Sequence, residues 1–334
     1  MNSTVIVAHS DSDGIVAASI VSIPEKITID DEHVHFTEPH LLNKTLGKIS
    51  PHDKLYILDL AVDQQKKSKV FSELRRLSGG GTEIIYIDHH LITDADLRIL
   101  NTLPDTTYYH SSGPSASQLT SEWVQKKWEL SEAMLSRIEK LAELGGISDR
   151  CIYPRSPIGE REALILDESW RANSFDHDFR RFLVRELRDG KMPSQIPQAV
   201  ENYRKAIKMR REVIKKMEQA ISFDGPTLLV SSPKERLHGH VGPALSELAN
   251  RRRRIAFGIF RPIDADYFVV CGRAPDDYKG GLHLGRLLAE MCAGFSGSGG
   301  GHKLAAGGRI APEAKDRFIE LLKLQIEAPM EKAF

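Results

Sequence analysis

A chain of 334 residues is long enough for two domains of ordinary size, roughly 100–200 residues each. Its 41% hydrophobic and 28% charged content suits globular domains with a sizeable core, and no apolar run approaches the ~20 residues of a membrane span. Lys plus Arg and Asp plus Glu both total 46, which argues against a protein that coats nucleic acid by bulk charge but not against a local basic groove. Cys151, Cys271 and Cys292 are odd in number and scattered, with neither disulfide-framework nor CxxC spacing. The chain opens on the strand-like TVIVA with no signal-peptide pattern, so the expectation is a reduced, cytoplasmic protein with no membrane partner.

In chain order, strand-like and helix-like segments alternate at first, the pattern of a parallel α/β sheet. Val5 to Ala8 is an apolar strand ending in the polar run HSDSDG, and a helix of small residues follows from Ile15. Leu55 to Leu58 predicts a second buried strand, ending at Asp59. A helical stretch from Gln64 to Leu77 closes on Gly79-Gly80-Gly81. Ile84 to Ile87 predicts a third strand, ending at Asp88, His89 and His90. Open α/β sheets bind ligands at the carboxyl ends of their strands. Polar residues stand at that end in all three cases.

Further along, Ser112-Gly113-Pro114 reads as a helix start, and residues 131–145 carry helical spacing through Met134, Leu135, Ile138, Leu141 and Leu144. Helical patterning runs on to about Ile221, its last part of mixed charge and best read as a solvated face. From Pro226 strand signals return at Thr227 to Ser231, Ile255 to Phe260 and Tyr267 to Gly272. The run GFSGSGGGHKLAAGG then precedes a final helix from about Pro312 to Ile326. The division expected is a catalytic domain over 1–195, a helical connector over 196–222 and a smaller mixed α/β substrate domain over 223–334.

The residues with chemical potential sit at the strand ends. His9, Asp11 and Asp13 alternate, and in an extended chain they share one side. Imidazole and carboxylate without thiolate suit Mn²⁺, Mg²⁺ or similar ions. The run also fits an Asp/Ser helix cap beside a surface histidine. Asp63 fits the cap of the helix near Gln64, which leaves Asp59 without a structural reason. Asp88, His89 and His90 are three adjacent ligand-capable groups that are costly to bury without partners. Asp149, after GGIS, reads by itself as an ordinary loop aspartate. Gly297, Gly299, Gly300 and Gly301 leave backbone N–H groups open to an anion, and His302 and Lys303 add donors; a flexible loop is the plain alternative. Arg251 to Arg254 read as a phosphate-tracking patch or as a helix C-terminus matched to its dipole. Trp123, Trp128 and Trp170 read as packing residues.

Together, HxDxD, a strand-end Asp, DHH and a later GIxD resemble the four N-terminal motifs of the DHH phosphoesterase family. GSGGGHKLAAGG is similar to the GGGHxxAAG motif of the C-terminal substrate domain in the RecJ and nano-RNase branches. Residues 155–220 match no motif. The resemblance implies two Mn²⁺ ions, or Mg²⁺ in their place: His9 and Asp11 on one, Asp13, His89 and Asp149 on the other, with Asp59 bridging. It further implies His90 beside the scissile phosphate, Asp88 orienting the histidines, Arg273 on a phosphate, and Gly299, Gly300, Gly301, His302 and Lys303 on substrate. Ser112 and Ser115 lie where relatives begin a small-residue helix near the metals.

The activity so implied is hydrolysis of single-stranded DNA or RNA from an end, releasing nucleoside monophosphates, with a role in DNA repair and a helicase or replication and repair partner. Small-nucleotide hydrolysis, of dinucleotides, cyclic dinucleotides or a nucleoside bisphosphate, uses the same chemistry. A non-catalytic replication scaffold is the third reading, opposed by the complete ligand set.

Overall fold

The computed structural model describes residues 3–152, 156–225, 227–232, 239–262 and 265–327, and it divides into two units, Met1–Arg204 and Lys205–Phe334. Pro226, where strand signals return in the sequence, lies outside the described residues.

The first unit is built on five parallel strands: β1 (Thr4–His9), β2 (Val34–Thr37), β3 (Lys54–Leu58), β4 (Glu83–Asp88) and β5 (Thr106–His110), in the order β2-β1-β3-β4-β5. Alternation along each strand feeds two cores. Ile6, Ala8, Tyr56, Leu58, Ile85 and Ile87 face one side, and Val5, Val7, Leu55, Ile57, Ile84 and Tyr86 face the other. Both faces are covered, as a parallel sheet requires. α2 (Leu42–Leu46), α3 (Lys67–Gly79) and α4 (Asp94–Asn101) line the second face. The first face carries α1 (Ser12–Glu25), α5 (Ala116–Lys127), α6 (Glu132–Ser148), α7 (Pro157–Arg171) and α8 (His177–Arg188).

Helix α1 is buried from Ser12 to Ile23 and touches α5, α6 and α8. Its alanines and serines permit that crowding, and Ser19 and Ser22 satisfy their hydroxyls on Ile15 and Ala18 carbonyls at 2.8 and 2.6 Å. A Cβ on Gly14 would run into the His9 backbone, so only glycine lets the first turn of α1 fold back on the end of β1.

Strands β2 and β5 give no clear signal in the sequence because VHFT and TTYYH are short and polar edge strands. Helix α3 begins at Lys67, three residues later than its sequence pattern suggests; Asp63 instead holds the preceding turn, accepting from Gln65 N at 2.9 Å. Helix α5 starts at Ala116 on a Ser115–Gln118 capping box, so Pro114 stands just outside the helix rather than in its first turn.

The stretch that matches no motif has a structural role. Arg180 on α8 is 1% exposed; its Nε donates to the Ser10 carbonyl at 2.6 Å, and its other nitrogens donate to the Asp176 and Ser174 carbonyls at 3.3 and 3.0 Å. Trp170 on α7 lies against that guanidinium and donates to Ser12 Oγ at 3.0 Å. The turn carrying His9 and Asp11 is therefore clamped from behind by α7 and α8.

Helix α9 (Pro197–Gln219) contains the boundary between units. The second unit has a six-stranded mixed sheet of β6 (Ile221–Asp224), β7 (Leu228–Ser232), β8 (Ala256–Phe260), β9 (Phe268–Arg273), β10 (Ser298–Gly301) and β11 (Ala305–Ile310). Its order is β10-β11-β9-β8-β7-β6, antiparallel except between β7 and β8. α10 (Val241–Arg252) packs on one core, while α11 (Leu284–Ala293) and α12 (Lys315–Glu327) pack on the other. Among the described residues no helix is long and apolar enough to cross a membrane.

Candidate metal centre

In the strand order of the first unit, the chain leaves β1 towards β2 on one side and returns to β3 on the other. The carboxyl ends of β1 and β3 are thus the point where loops diverge and a ligand can enter. His9 ends β1, Asp59 follows β3, and Asp88 ends β4 next door.

His9, Asp11 and Asp13 do meet there, though not by extended alternation. His9 closes the strand, Asp11 caps α1 by accepting from Gly14 N at 3.2 Å, and Asp13 lies in the first helical turn. The strand-to-helix reversal brings them together, and Asp11 serves as cap and cluster member at once. Asp59 takes a left-handed backbone, φ 59°, while its N–H still donates to the Ile87 carbonyl at 2.9 Å. That conformation costs about 1–2 kcal/mol for a residue with a Cβ, and here it turns a 1% exposed carboxylate into the centre of the cluster.

Asp59 faces both sides. Its Oδ2 is 3.4 Å from His9 Nδ1, which is itself 3.1 Å from Asp11 Oδ2. Its Oδ1 is 3.3 Å from His89 Nε2, which lies 3.5 Å from Asp149 Oδ2. Two donor groups result, His9–Asp11–Asp59 and Asp13–Asp59–His89, sharing Asp59, and Asp149 adjoins the second through His89. Asp149 reaches it from the end of α6, where it caps the helix.

His90 Nδ1 is 2.8 Å from Asp88 Oδ1 and 3.9 Å from Asp59 Oδ1, and its carbonyl accepts from His110 Nε2 at 2.8 Å. Asp88 thus orients His90.

Three contributors escape sequence reasoning. Glu38, just after β2, stands 3.2 Å from His9 Nε2 and so leaves Nδ1 as the ring nitrogen facing Asp11 and Asp59. The first amides of α5 hold Asp13: Ala116 N and Ser117 N donate to its two oxygens at 2.7 and 3.1 Å, at the positive end of the helix. A Cβ on Gly145 of α6 would strike Ser117 and Asp13, so the close approach of α5 and α6 behind this carboxylate needs glycine. The signals, GG in α6 and a lone Glu before Pro39, become meaningful only when the helices are packed.

The electrostatics are those of crowded carboxylates. Burial, and then the Asp59 charge, push Asp13 up to about 6. Burial, and then the Asp13 charge, push Asp149 up to about 8. Burial opposes the charged form of His9, but Asp11 and Glu38 hold its proton well above the usual imidazole range. His89 is raised in the same way against burial, through Asp59. Burial also opposes the charge on Asp88, but His90 wins and draws it down to about 2.

The donors fit divalent cations. His9 Nδ1 and Asp59 Oδ2 are buried yet make no hydrogen bond with the described residues. Two such atoms directed at one another are expensive unless a cation lies between them. Nitrogen and oxygen donors without sulfur in the first group match Mn²⁺ or Mg²⁺ chemistry.

In the second unit the glycine-rich run is an ordered hairpin. β10 and β11 pair from Ser298↔Arg309 to Gly301↔Ala306. A Cβ on Gly285, Gly297 or Gly299 would strike the backbone of Gly301, Arg309 or Leu288 respectively, so these glycines let α11 press against the edge strand. Only Gly300 of the run faces open space. His302 and Lys303 accept on their carbonyls from Gly285 N and Leu284 N at 3.0 and 3.1 Å. Arg273 is half-buried and donates to the Gly272 and Ala306 carbonyls at 2.8 and 2.9 Å. Arg251 to Arg254 sit at the end of α10 and pair with Glu218, Glu247, Asp224 and Asp277, the plain structural role.

Residues 225–328 match the DHHA1 domain family. No curated protein matches the chain by sequence. Several solved structures share its fold. RecJ from Thermus thermophilus, crystallised with Mn²⁺, is 16% identical with a TM-score of 0.65, covering 98% of this chain and 52% of that one, so the chain spans about half its length. The pGpG-specific phosphodiesterase PggH from Vibrio cholerae is 16% identical with a TM-score of 0.54, covering 97% of this chain and 99% of that one. CDC45 from Entamoeba histolytica is 10% identical with a TM-score of 0.55, covering 98% and 96%. Over residues 225–328 the chain carries a DHHA1 domain, and as a whole it shares its fold with RecJ and PggH.

Proposed function

We propose that the protein is a metal-dependent phosphodiesterase that removes nucleoside monophosphates from an end of single-stranded DNA or RNA. The observation that carries this is the pair of donor groups joined at Asp59, with His9 Nδ1 and Asp59 Oδ2 buried and making no hydrogen bond among the described residues.

In this reading His9 and Asp11 hold one ion, Asp13, His89 and Asp149 hold the other, and Asp59 serves both. Bound Mn²⁺ or Mg²⁺ would neutralise the phosphoryl oxygens and acidify the attacking water. The chain's own residues do the rest. Glu38 keeps the His9 ring turned so that Nδ1 faces the centre. The amides of Ala116 and Ser117 fix the Asp13 carboxylate without adding a proton. Asp88 holds His90 through Nδ1, and in this assignment the ring stands beside the scissile phosphate. Arg273, Gly299, Gly300, Gly301, His302 and Lys303 belong to substrate binding in this assignment. Gly299 is already committed to packing, whereas a Cβ on Gly300 would meet no atom, so Gly300 has the room to take that part.

The second reading, hydrolysis of a dinucleotide, is favoured by one observation: the match to PggH, whose name gives pGpG as its substrate, runs the length of both chains. The scaffold reading draws on the likeness to CDC45 and is opposed by the intact donor set.

The test is Mn²⁺-dependent cleavage of single-stranded DNA and RNA oligonucleotides, labelled at one end at a time, beside a dinucleotide. A ladder of products supports the exonuclease and gives its direction. Cleavage of the dinucleotide alone moves the assignment to small nucleotides. Mn²⁺ binding with no cleavage of any of them supports the scaffold.

A further inference from the structure

A sulfur atom stands beside the second donor group. Cys151 stands beside His89 and Asp149, and the three donor atoms lie within 4.8 Å of one another. Its position follows from how α6 ends. Asp149 caps the helix, Arg150 turns left-handed at φ 61°, Arg150 N donates to the Ile147 carbonyl at 3.1 Å, and Cys151 N donates to the Gly146 carbonyl at 2.8 Å. This is a Schellman termination, built with an arginine where glycine is the usual choice. It delivers a half-buried thiol to the cluster from the same turn that delivers Asp149.

The spacing suits a tetrahedral ion. Cys151 Sγ is 3.3 Å from Asp149 Oδ2, and His89 Nε2 is 3.5 Å from that oxygen. Bond lengths of ~2.3 Å to sulfur and ~2.0–2.2 Å to nitrogen and oxygen give tetrahedral edges of roughly 3.6 Å for S to O and 3.4 Å for N to O. The observed separations agree to about 0.3 Å. A thiolate, an imidazole and a carboxylate form a softer set than the His9–Asp11–Asp59 group and favour Zn²⁺ over Mn²⁺.

We propose that His89, Asp149 and Cys151 form a site for a thiophilic divalent ion, Zn²⁺ or Cd²⁺, which displaces the harder ion and inhibits the hydrolysis. Cys151 binds as the thiolate, its proton leaving to solvent. An ion seated on Cys151 draws on the same His89 and Asp149 that the harder ion needs, so the two compete. The inference rests on the assignment of His89 and Asp149 as metal ligands under the proposed function.

The experiment titrates the full chain with Cd²⁺ and follows the sulfur-to-cadmium charge-transfer absorbance, with Mn²⁺ binding measured in parallel by electron paramagnetic resonance. The wild type is expected to show a band saturating at one equivalent, and Mn²⁺ to compete it away. Cys151→Ser and Cys151→Ala are expected to lose it, while Cys271→Ser keeps it. The Zn²⁺ concentration that halves Mn²⁺-supported hydrolysis should rise on the order of tenfold or more in Cys151→Ser. Far-ultraviolet circular dichroism checks that both Cys151 variants are folded. Mn²⁺ binding without a cadmium band, or a band that survives in both Cys151 variants, overturns the inference and leaves the proposed function standing. A wild type that binds no Mn²⁺ overturns the proposed function and with it the displacement of a harder ion; a cadmium band lost on Cys151 substitution then supports the thiophilic site alone.

Discussion

The two motif regions spend their unusual residues in opposite ways. Around Asp59 polar atoms are buried with little to satisfy them: His9 Nδ1 and Asp59 Oδ2 make no hydrogen bond among the described residues, and Asp13 and Asp149 are pushed up to about 6 and 8. In the glycine-rich hairpin nearly everything is consumed internally. Gly285, Gly297 and Gly299 accommodate backbone, and the His302 and Lys303 carbonyls anchor the start of α11. A motif can therefore be a set of ligands or a packing device. Residual polar capacity distinguishes the two.

Asp59→Ala sharpens the contrast most. It removes the carboxylate common to both donor groups, and kcat should fall by at least roughly 10³-fold with the circular dichroism spectrum unchanged. A variant with near-normal kcat would take Asp59 out of the chemistry. Glu38→Ala should weaken Mn²⁺ binding ~10–100-fold, as loss of a histidine's outer partner does, and Glu38→Gln less so. Equal affinities for wild type and Glu38→Ala would show that His9 needs no such orientation.

Gly299→Ala breaks the comparison from the other side. Its new methyl meets the Leu288 carbonyl, so denaturant melts should show a loss of about 1–3 kcal/mol while Mn²⁺ affinity stays the same. Loss of Mn²⁺ affinity instead would mean that the hairpin contributes to the metal centre.

The pH dependence of Mn²⁺ binding comes next. Asp13 at about 6 and Asp149 at about 8 have folded pKa values above their unfolded ones, so protonation favours the metal-free fold. That stability is present at low pH and lost as pH rises through about 6 and then about 8. Cation binding has the opposite sign, because these protons must leave first. The Mn²⁺ dissociation constant should fall by roughly tenfold per pH unit between these two values, and the rise in Tm on adding Mn²⁺ should be larger at the upper one. A flat calorimetric profile would remove both aspartates from the ligand set.

The smallest effect is expected at Gly300→Ala, which meets no atom. Stability should change by less than about 0.5 kcal/mol. A raised KM would then report substrate contact, and an unchanged KM would exclude Gly300 from binding.

Much of the first unit was legible in the residues. Val5 to Ala8, Leu55 to Leu58 and Ile84 to Ile87 are apolar on both faces, and each runs into a polar group, so the strands and their functional end follow from pattern alone. Short polar β2 and β5 were not legible, because an edge strand carries half the apolar requirement. The alternation of His9, Asp11 and Asp13 points to convergence correctly but for another reason, since the strand-to-helix turn and not an extended chain brings them together.

The sequence by itself determined which donors exist and that they gather at the carboxyl ends of parallel strands, because strand length, alternation and strand-end polarity are local properties. Tertiary structure alone decided the rest. Glu38 is 29 residues from His9, the amides of Ala116 and Ser117 are more than 100 residues from Asp13, and the Arg180 guanidinium is 170 residues from the Ser10 carbonyl it holds. Such partners are chosen by helix packing across a sheet face. No local periodicity encodes that choice, because the burial that makes each partner necessary exists only once the elements have met.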